Sequence, residues 1–249
     1  MATKVAVTGA TGRLGRQLVE VLEGRGHEVV PIARSKGVDV ITGQGLAEAL
    51  QGVDAVFDLA TGPSPDEQEA TDFFTTSTRN LQEAGVQAGV KRIVLVSIIG
   101  IDKFKTGYNA AKQAQEKVAM EGPIPTRIVR AAQFHEFVEQ LLDWGRQGDG
   151  AYVAAMRTQV VAARAVAETL AELFEDSEPT GPTIEVAGPR PERLVELARL
   201  LAAHRGDSVQ IVETTEFFPE GDVYDSDAPL PGPDAKLAGP TYEEWLKAA

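Results

Sequence analysis

Short runs of β-branched and apolar residues alternate along the chain with longer stretches whose apolar positions recur every three or four residues. Lys4 to Val7, Glu28 to Ala33, Val38 to Ile41, Ala55 to Leu59, Arg92 to Ser97 and Thr126 to Val129 predict strands. Between the first two, Leu14, Leu18, Val21 and Leu22 form a helical stripe. Further helices are expected at about Leu46 to Gln51, Asp66 to Ala88 and Gly107 to Met120, the last two stopping before Gly89 and Gly122-Pro123. Strands separated by helices of this length build βαβ units, so the fold class is α/β, a doubly wound parallel sheet with helices on both faces.

Beyond residue 130 the texture changes. Helices are expected around Glu136 to Gly145, Arg164 to Glu175 and Pro191 to His204, and strands at Thr183 to Ala187 and Val209 to Glu213. Val166, Leu170, Leu173 and Phe174 form one apolar face, and Leu194, Leu197, Ala198 and Leu201 another. The organisation read from this is a sheet domain over residues 1–130 and a small α+β C-terminal lobe over residues 131–249, lying over the carboxyl ends of the strands, with strands that can return to the main sheet. From Pro219 to Pro240 the chain is rich in Pro, Gly and Asp and lacks periodicity, which reads as a surface loop or lid, or as a disordered stretch.

The first strand runs into Thr8-Gly9-Ala10-Thr11-Gly12-Arg13-Leu14-Gly15, and the first helix follows at once. Strand, glycine turn and helix in this order form the phosphate-binding turn of a dinucleotide-binding Rossmann fold. Gly9 takes the tight turn, Gly12 admits backbone N–H groups to a phosphate, and Gly15 lets the helix pack close to the sheet. The helix start presents unpaired donors and a partial positive charge to the pyrophosphate. An ordinary glycine-rich strand-to-helix turn is the other reading of these residues.

Composition narrows the partners. The 249 residues carry a net charge of −13, which argues against a nucleic-acid backbone and against an anionic membrane surface, leaving a small-molecule substrate. The longest apolar run, Ile93 to Ile101, is interrupted by Ser97 and Gly100 and is too short to cross a bilayer. Cysteine is absent, so disulfides, thiolate nucleophiles and cysteine metal sites are excluded, which fits a cytoplasmic protein. Met1 leads into a strand almost at once, without a secretory pattern.

Two further groups carry chemistry. After the second strand comes Arg34-Ser35-Lys36, with no acid to bind the adenosine ribose hydroxyls. Arg34 can grip a 2′-phosphate through its guanidinium fork, with Ser35, Lys36 and Arg13 helping, so NADP(H) is preferred to NAD(H). A solvated basic loop is the alternative. Ser97 ends the fifth predicted strand, and Tyr108 and Lys112 share a face of the next helix. An ammonium beside the phenol would lower the pKa of Tyr108 for proton exchange with a carbonyl or alcohol oxygen, while Ser97 holds that oxygen and hydride moves from the nicotinamide. The same residues can instead be a packed tyrosine, an exposed cation and the end of a strand.

The chain resembles the short-chain dehydrogenase/reductase superfamily, in its atypical branch of NmrA-like, NAD(P)H-binding proteins. The resemblance rests on TGATGRLG at 8–15, the Arg34 loop, GVDAVFDLA at 52–60, GVKRIVLVS at 89–97, YNAAK at 108–112 with Glu116 beyond it, TRIVRAAQF at 126–134 and GPTYEEW at 239–245. It implies that Gly9, Thr11, Gly12, Arg13 and Leu14 surround the pyrophosphate and that Ala60 and Thr61 border the adenosine. It also implies that Lys112 holds the nicotinamide ribose, with Ser97 and Phe134 near the nicotinamide. Where many relatives carry Gly-Asp-Leu after the third strand, this chain has Gly43-Gln44-Gly45. The interval from Ser97 to Tyr108 is slightly short for the fully catalytic members.

His27, His135 and His204 are too scattered for a zinc helix and read as surface or packing residues, although the resemblance puts His135 on the substrate side. No Gly-x-Ser-x-Gly elbow surrounds Ser97, and the phosphate-loop pattern is missing. Asp58 reads as a buried hydrogen-bonding residue whose partner the sequence does not name. Phe134, Phe137, Trp144 and Tyr152 line a substrate pocket or belong to the core. The functional expectation is an NADPH-dependent oxidoreductase acting on a small carbonyl or quinone-like substrate. The alternatives are a regulatory protein that senses NADP(H) without turnover and a cofactor-assisted epimerase or isomerase.

Overall fold

The computed structural model of the chain describes residues 2–176, 181–216 and 219–248. The amino-terminal alternation forms β1 (Lys4–Thr8), α1 (Arg13–Gly24), β2 (Glu28–Ile32), α2 (Leu46–Ala49), β3 (Ala55–Asp58), α3 (Glu67–Ala88), β4 (Arg92–Ile98), α4 (Gly107–Glu121) and β5 (Thr126–Ala131). The chain continues through α5 (Phe137–Trp144), β6 (Arg146–Gln147), β7 (Gly150–Ala154), β8 (Arg157–Thr158), α6 (Ala163–Glu175) and β9 (Thr183–Ala187). It ends with β10 (Glu192–Arg193), α7 (Leu194–Arg205), β11 (Gln210–Thr214), α8 (Gly221–Tyr224), β12 (Lys236–Leu237) and α9 (Tyr242–Ala248).

A seven-stranded parallel sheet in the order β12-β9-β5-β4-β3-β1-β2 forms the Rossmann-like centre. β1 lies between β2 and β3, with Val5 opposite Val29 on one side and Ala55 on the other. The connections leaving β1 and β2 therefore diverge, and the crevice at the carboxyl ends of β1 and β3 is a topological switch point, where α/β sheets hold their ligands.

The expected strand at Val38 to Ile41 does not form. The Asp39 carboxylate accepts from the Ile41 N–H at 2.8 Å, its carbonyl accepts from Gly43 N–H at 2.9 Å, and Asn80 Nδ2 donates to the carbonyls of Val40 and Ile41. These local bonds consume the groups that a strand would offer to a neighbour, so an apolar run becomes a turn and β2 is left at the sheet edge. The expected helix from Pro191 starts later, at Leu194, because Glu192 and Arg193 pair with Thr158 and Arg157. The Pro219 to Pro240 stretch carries α8 and β12, the latter paired with β9 through Lys236–Val186 and Leu237–Ala187.

Two compact units divide the chain. The first comprises Met1–Ser97, Gly107–Arg130 and Ala167–Ile184, and the second Ile98–Thr106, Ala131–Val166 and Glu185–Ala249. In the first, Ala6, Ile32, Leu46, Leu50, Val56, Leu81 and Ile93 form a buried cluster that fixes β1 and β3 against α2 and α3. α3 starts at Asp66, whose carboxylate accepts from Gln68 and Glu69 N–H at 3.0 Å. In the second, β11, β7 and β6 make a three-stranded sheet, and Val138, Leu142, Val153, Leu197 and Leu201 pack with Tyr242 and Leu246 of α9. No helix among the described residues is long and apolar enough to cross a membrane.

Candidate functional site

The glycine turn is built by close backbone approach. Gly9 sits at φ +63°, and a β-carbon there would stand 2.7 Å from the carbonyl oxygen of Leu59, just beyond β3. Gly12 N–H donates to Gly9 O at 2.8 Å, and Gly12 is the N-cap of α1 with no side chain capping the helix. The first residue bonded back along α1 is Arg16, to Gly12 O, so the N–H groups of the first turn remain as anion donors. A β-carbon on Gly15 would overlap Gly9 O and approach Ala10 Cα to 2.8 Å. The close packing that requires glycine at 15 is therefore against the turn itself. Thr11, Gly12 and Arg13 are exposed, whereas Leu14 is buried.

Thr8 and Asp58 tie this turn to β3. Thr8 Oγ1 donates to Asp58 Oδ1 at 2.7 Å and accepts from the N–H groups of Leu59 at 3.0 Å and Ala60 at 3.1 Å. The Asp58 partner that the sequence left unnamed is thus Thr8, together with Gln115, whose Nε2 donates to Asp58 Oδ2 at 3.4 Å. Burial raises the Asp58 pKa, while the Thr8 hydroxyl and the charge of Lys112 oppose that rise. Ala60 is buried beside the turn, and Thr61 is exposed.

Arg34, Ser35 and Lys36 form an exposed 3₁₀ turn immediately after β2. Ala10 N–H reaches Ile32 O at 3.4 Å, which brings the end of β2 beside the glycine turn and so carries the Arg34 turn to the same edge of the crevice.

Ser97, Tyr108 and Lys112 belong to the same unit but are not linked in the expected way. Ser97 Oγ is buried with no hydrogen-bond partner among the described residues. Lys112 Nζ donates to Val96 O at 2.9 Å and to Gln115 Oε1 at 2.5 Å, and lies 4.7 Å from the centre of the Phe74 ring. Burial pushes its pKa down to about 8, against the pull of Asp58 and Glu116. Tyr108 packs edge-on against Phe74, with ring centres 5.5 Å apart, and burial pushes its pKa up to about 12. The expected lowering of the Tyr108 pKa is absent because the Lys112 charge is turned toward Val96 and Gln115. Gln115 escaped the sequence reading, although it lies one helical turn beyond Lys112, a spacing that puts both on one face. Glu116 pairs with Arg130 through two bonds of 3.0 and 2.8 Å.

In the second unit Phe134 is half-buried and bridges to Val161. His135 is buried, with Nε2 3.1 Å from Val160 O and its ring edge-on to Tyr242 and Trp245. Desolvation pushes its pKa down to about 4, so Nε2 carries the proton and donates to Val160. Phe137 packs on Trp144, which is itself exposed.

A glycine turn in which Gly9 and Gly15 admit no β-carbon, an uncapped helix start and an orphaned buried hydroxyl at the end of β4 fit a nicotinamide dinucleotide. Residues 9–177 match the model of a family described as NAD(P)H-binding. Among characterised relatives, Photosystem II assembly factor Ycf39 of Synechocystis sp. is 28% identical over 232 residues, covering 84% of this chain and 69% of that protein. Quinone oxidoreductase 2 of Escherichia coli is 26% identical over 236 residues, 85% of this chain and 78% of that protein. Triphenylmethane reductase of Citrobacter sp., solved in complex with NADP(H), superposes with a TM-score of 0.72 at 19% identity, covering 99% of each chain. The fold is that of short-chain dehydrogenase/reductase structures, the relatives fit the atypical NmrA-like branch of that superfamily, and the chain belongs to the NAD(P)H-binding family.

Proposed function

We propose that the chain is an NADPH-dependent oxidoreductase that reduces a small carbonyl or quinone-like substrate. The reading is carried by the buried, unpartnered Ser97 hydroxyl in the same unit as the glycine cradle. Such a hydroxyl costs about 1–3 kcal/mol while unpaired, and a substrate oxygen supplies the missing partner. Reduced nicotinamide supplies the hydride when bound. Gly9, Thr11, Gly12, Arg13, Leu14 and Gly15 receive the pyrophosphate on backbone donors, and Ala60 and Thr61 border the adenosine. Arg34 with Ser35 binds the 2′-phosphate, and Lys112 holds the nicotinamide ribose.

Tyr108 contributes as a neutral hydroxyl, because a group held at about 12 stays protonated across the neutral range. A quinone-like acceptor suits so weak an acid, since the charge left on its reduced oxygen is delocalised as in any phenolate and water can protonate it. The similarity to Quinone oxidoreductase 2 supports the same acceptor class.

A second reading, an NADP(H) sensor without turnover, is favoured by one observation. The Lys112 ammonium is committed to Val96 and Gln115 and leaves the Tyr108 phenol unactivated. Following NADPH oxidation against a panel of quinones and carbonyls, with Tyr108→Phe alongside, separates the two. Turnover of a quinone that Tyr108→Phe slows by no more than about tenfold is the expected result. Tight NADPH binding without turnover of any panel member selects the sensor.

A further inference from the structure

We propose that Asp58 and Gln115 are positioning residues for Lys112, with the Gln115 amide passing the attraction of the Asp58 carboxylate to the ammonium and holding it against the carbonyl of Val96. This rests on reading Lys112 as a residue that holds the cofactor.

The direction of the Gln115 amide is fixed by what surrounds it. Its oxygen accepts from Lys112 Nζ at 2.5 Å, and its nitrogen donates to Asp58 Oδ2 at 3.4 Å and to Thr78 Oγ1 at 3.3 Å. Reversing the amide would set its NH₂ against an ammonium and its carbonyl against a carboxylate, two repulsive contacts in a dry interior. The far oxygen of Asp58 is held by Thr8 Oγ1 at 2.7 Å and by Ala60 N–H at 3.4 Å, so the relay is anchored at the glycine turn. Two of the three ammonium protons are thereby placed, on Val96 and Gln115, which leaves one for a ligand hydroxyl on the part of Nζ that the Phe74 ring, 4.7 Å away, does not cover.

The charge balance depends on the same relay. The charged groups that act on Lys112 are Asp58 from β3 and Glu116 from its own helix. Glu116 is already matched by the fork of Arg130 on β5. β4 contributes the Val96 carbonyl, and α3 contributes Phe74 and the Thr78 hydroxyl. Asp58 is therefore the counter-charge that keeps a buried lysine protonated near neutrality, and Gln115 is its only bonded route to Nζ among the described residues.

The test follows the Lys112 ammonium by ¹⁵N lysine NMR of the full chain without cofactor, and NADPH affinity by fluorescence titration, from about pH 6 to about pH 10. Both are measured on the unaltered protein, on Asp58→Asn and on Gln115→Met. Asp58→Asn removes the charge but keeps polar groups for Thr8 and Gln115, whereas Gln115→Met keeps the charge and cuts the relay. Each variant should lower the Lys112 midpoint by about one pH unit or more, and the alkaline fall in NADPH affinity should move with it. Either variant alone decides the matter if the other fails to fold. A Lys112 midpoint unchanged in a folded variant overturns the relay. A midpoint that moves while NADPH affinity does not follow upholds the relay and overturns the reading of Lys112 as a cofactor-holding residue. Loss of turnover with every acceptor touches neither measurement.

Discussion

The carbonyl oxygen of Gly9 occupies the space that a β-carbon on Gly15 would need, so the first turn of α1 and the turn before it lock through two glycines. Gly15→Ala should therefore destabilise the protein by about 2–3 kcal/mol, a cost of overpacking against backbone that cannot swing away. Gly24, in the last turn of the same helix, has nothing within 4 Å of a β-carbon, and Gly24→Ala should stabilise by about 0.5–1 kcal/mol. Thermal unfolding of the two variants checks the contrast. Equal and opposite shifts are not required, but a stable Gly15→Ala protein would show that the turn is looser than described.

On the proposed assignment, Arg34→Ala should weaken NADPH by tenfold or more and leave NADH within about threefold, because the guanidinium would meet a 2′-phosphate that only NADPH carries. Paired titrations with the two cofactors measure this. A loss shared equally by both would assign Arg34 to the common part of the dinucleotide.

His135 should make the protein acid-sensitive. Its pKa lies at about 4 in the folded protein against 6.5 when exposed, so the stability it confers is complete above about pH 6.5 and is lost as pH falls toward 4. The gap between the two values is worth about 3 kcal/mol. His135→Phe retains the ring contacts with Tyr242 and Trp245 but leaves the Val160 carbonyl without its donor. It should start less stable at pH 7 and lose less on acidification to pH 4, which denaturant unfolding at the two pH values would reveal.

Glu220 holds the backbone before α4. It is a non-glycine residue at positive φ, +56°, and its carboxylate accepts from Lys105 N–H, Thr106 N–H and Thr106 Oγ1 at 2.9–3.0 Å. Partial burial works to raise its pKa, and the bonds from Thr106 and Lys105 outweigh that and lower it. Replacing Glu220 with Gln should speed amide exchange at residues 105 and 106 by about threefold to tenfold, equivalent to a loss of about 1 kcal/mol. Unchanged exchange at both amides would show that the carboxylate does not order that loop.

The parts of this fold that depend on apolar periodicity were legible in the residues. β9 spans Thr183–Ala187 as expected, and α3 follows Asp66 and stops at Gly89. Val38 to Ile41 misled because an apolar run does not reveal that Asp39 will bond its own backbone. β6, β7 and β8 went unseen because β6 and β8 have only 2 residues each, and the pairings of β7 with β11 and of β8 with β10 are non-local. At the site, spacing placed Tyr108 and Lys112 on one helical face, but a face is not a direction. Which way a flexible lysine points is set by the carbonyl of Val96 and the amide of Gln115, and neither contact leaves a trace in the order of residues.

Thr8 adds a matter of timing. On a chain made from its amino end, the strand, the glycine turn and α1 are complete before Asp58, 50 residues later, has been added. Until then the Thr8 hydroxyl has neither its acceptor nor the two amide donors of Leu59 and Ala60, and Gly9 has no Leu59 carbonyl to close against. A nascent chain halted short of β3 therefore carries the whole glycine motif without the means to set it, and competence to bind an anion there should arrive only after residues 58–60 have emerged and β3 has paired with β1.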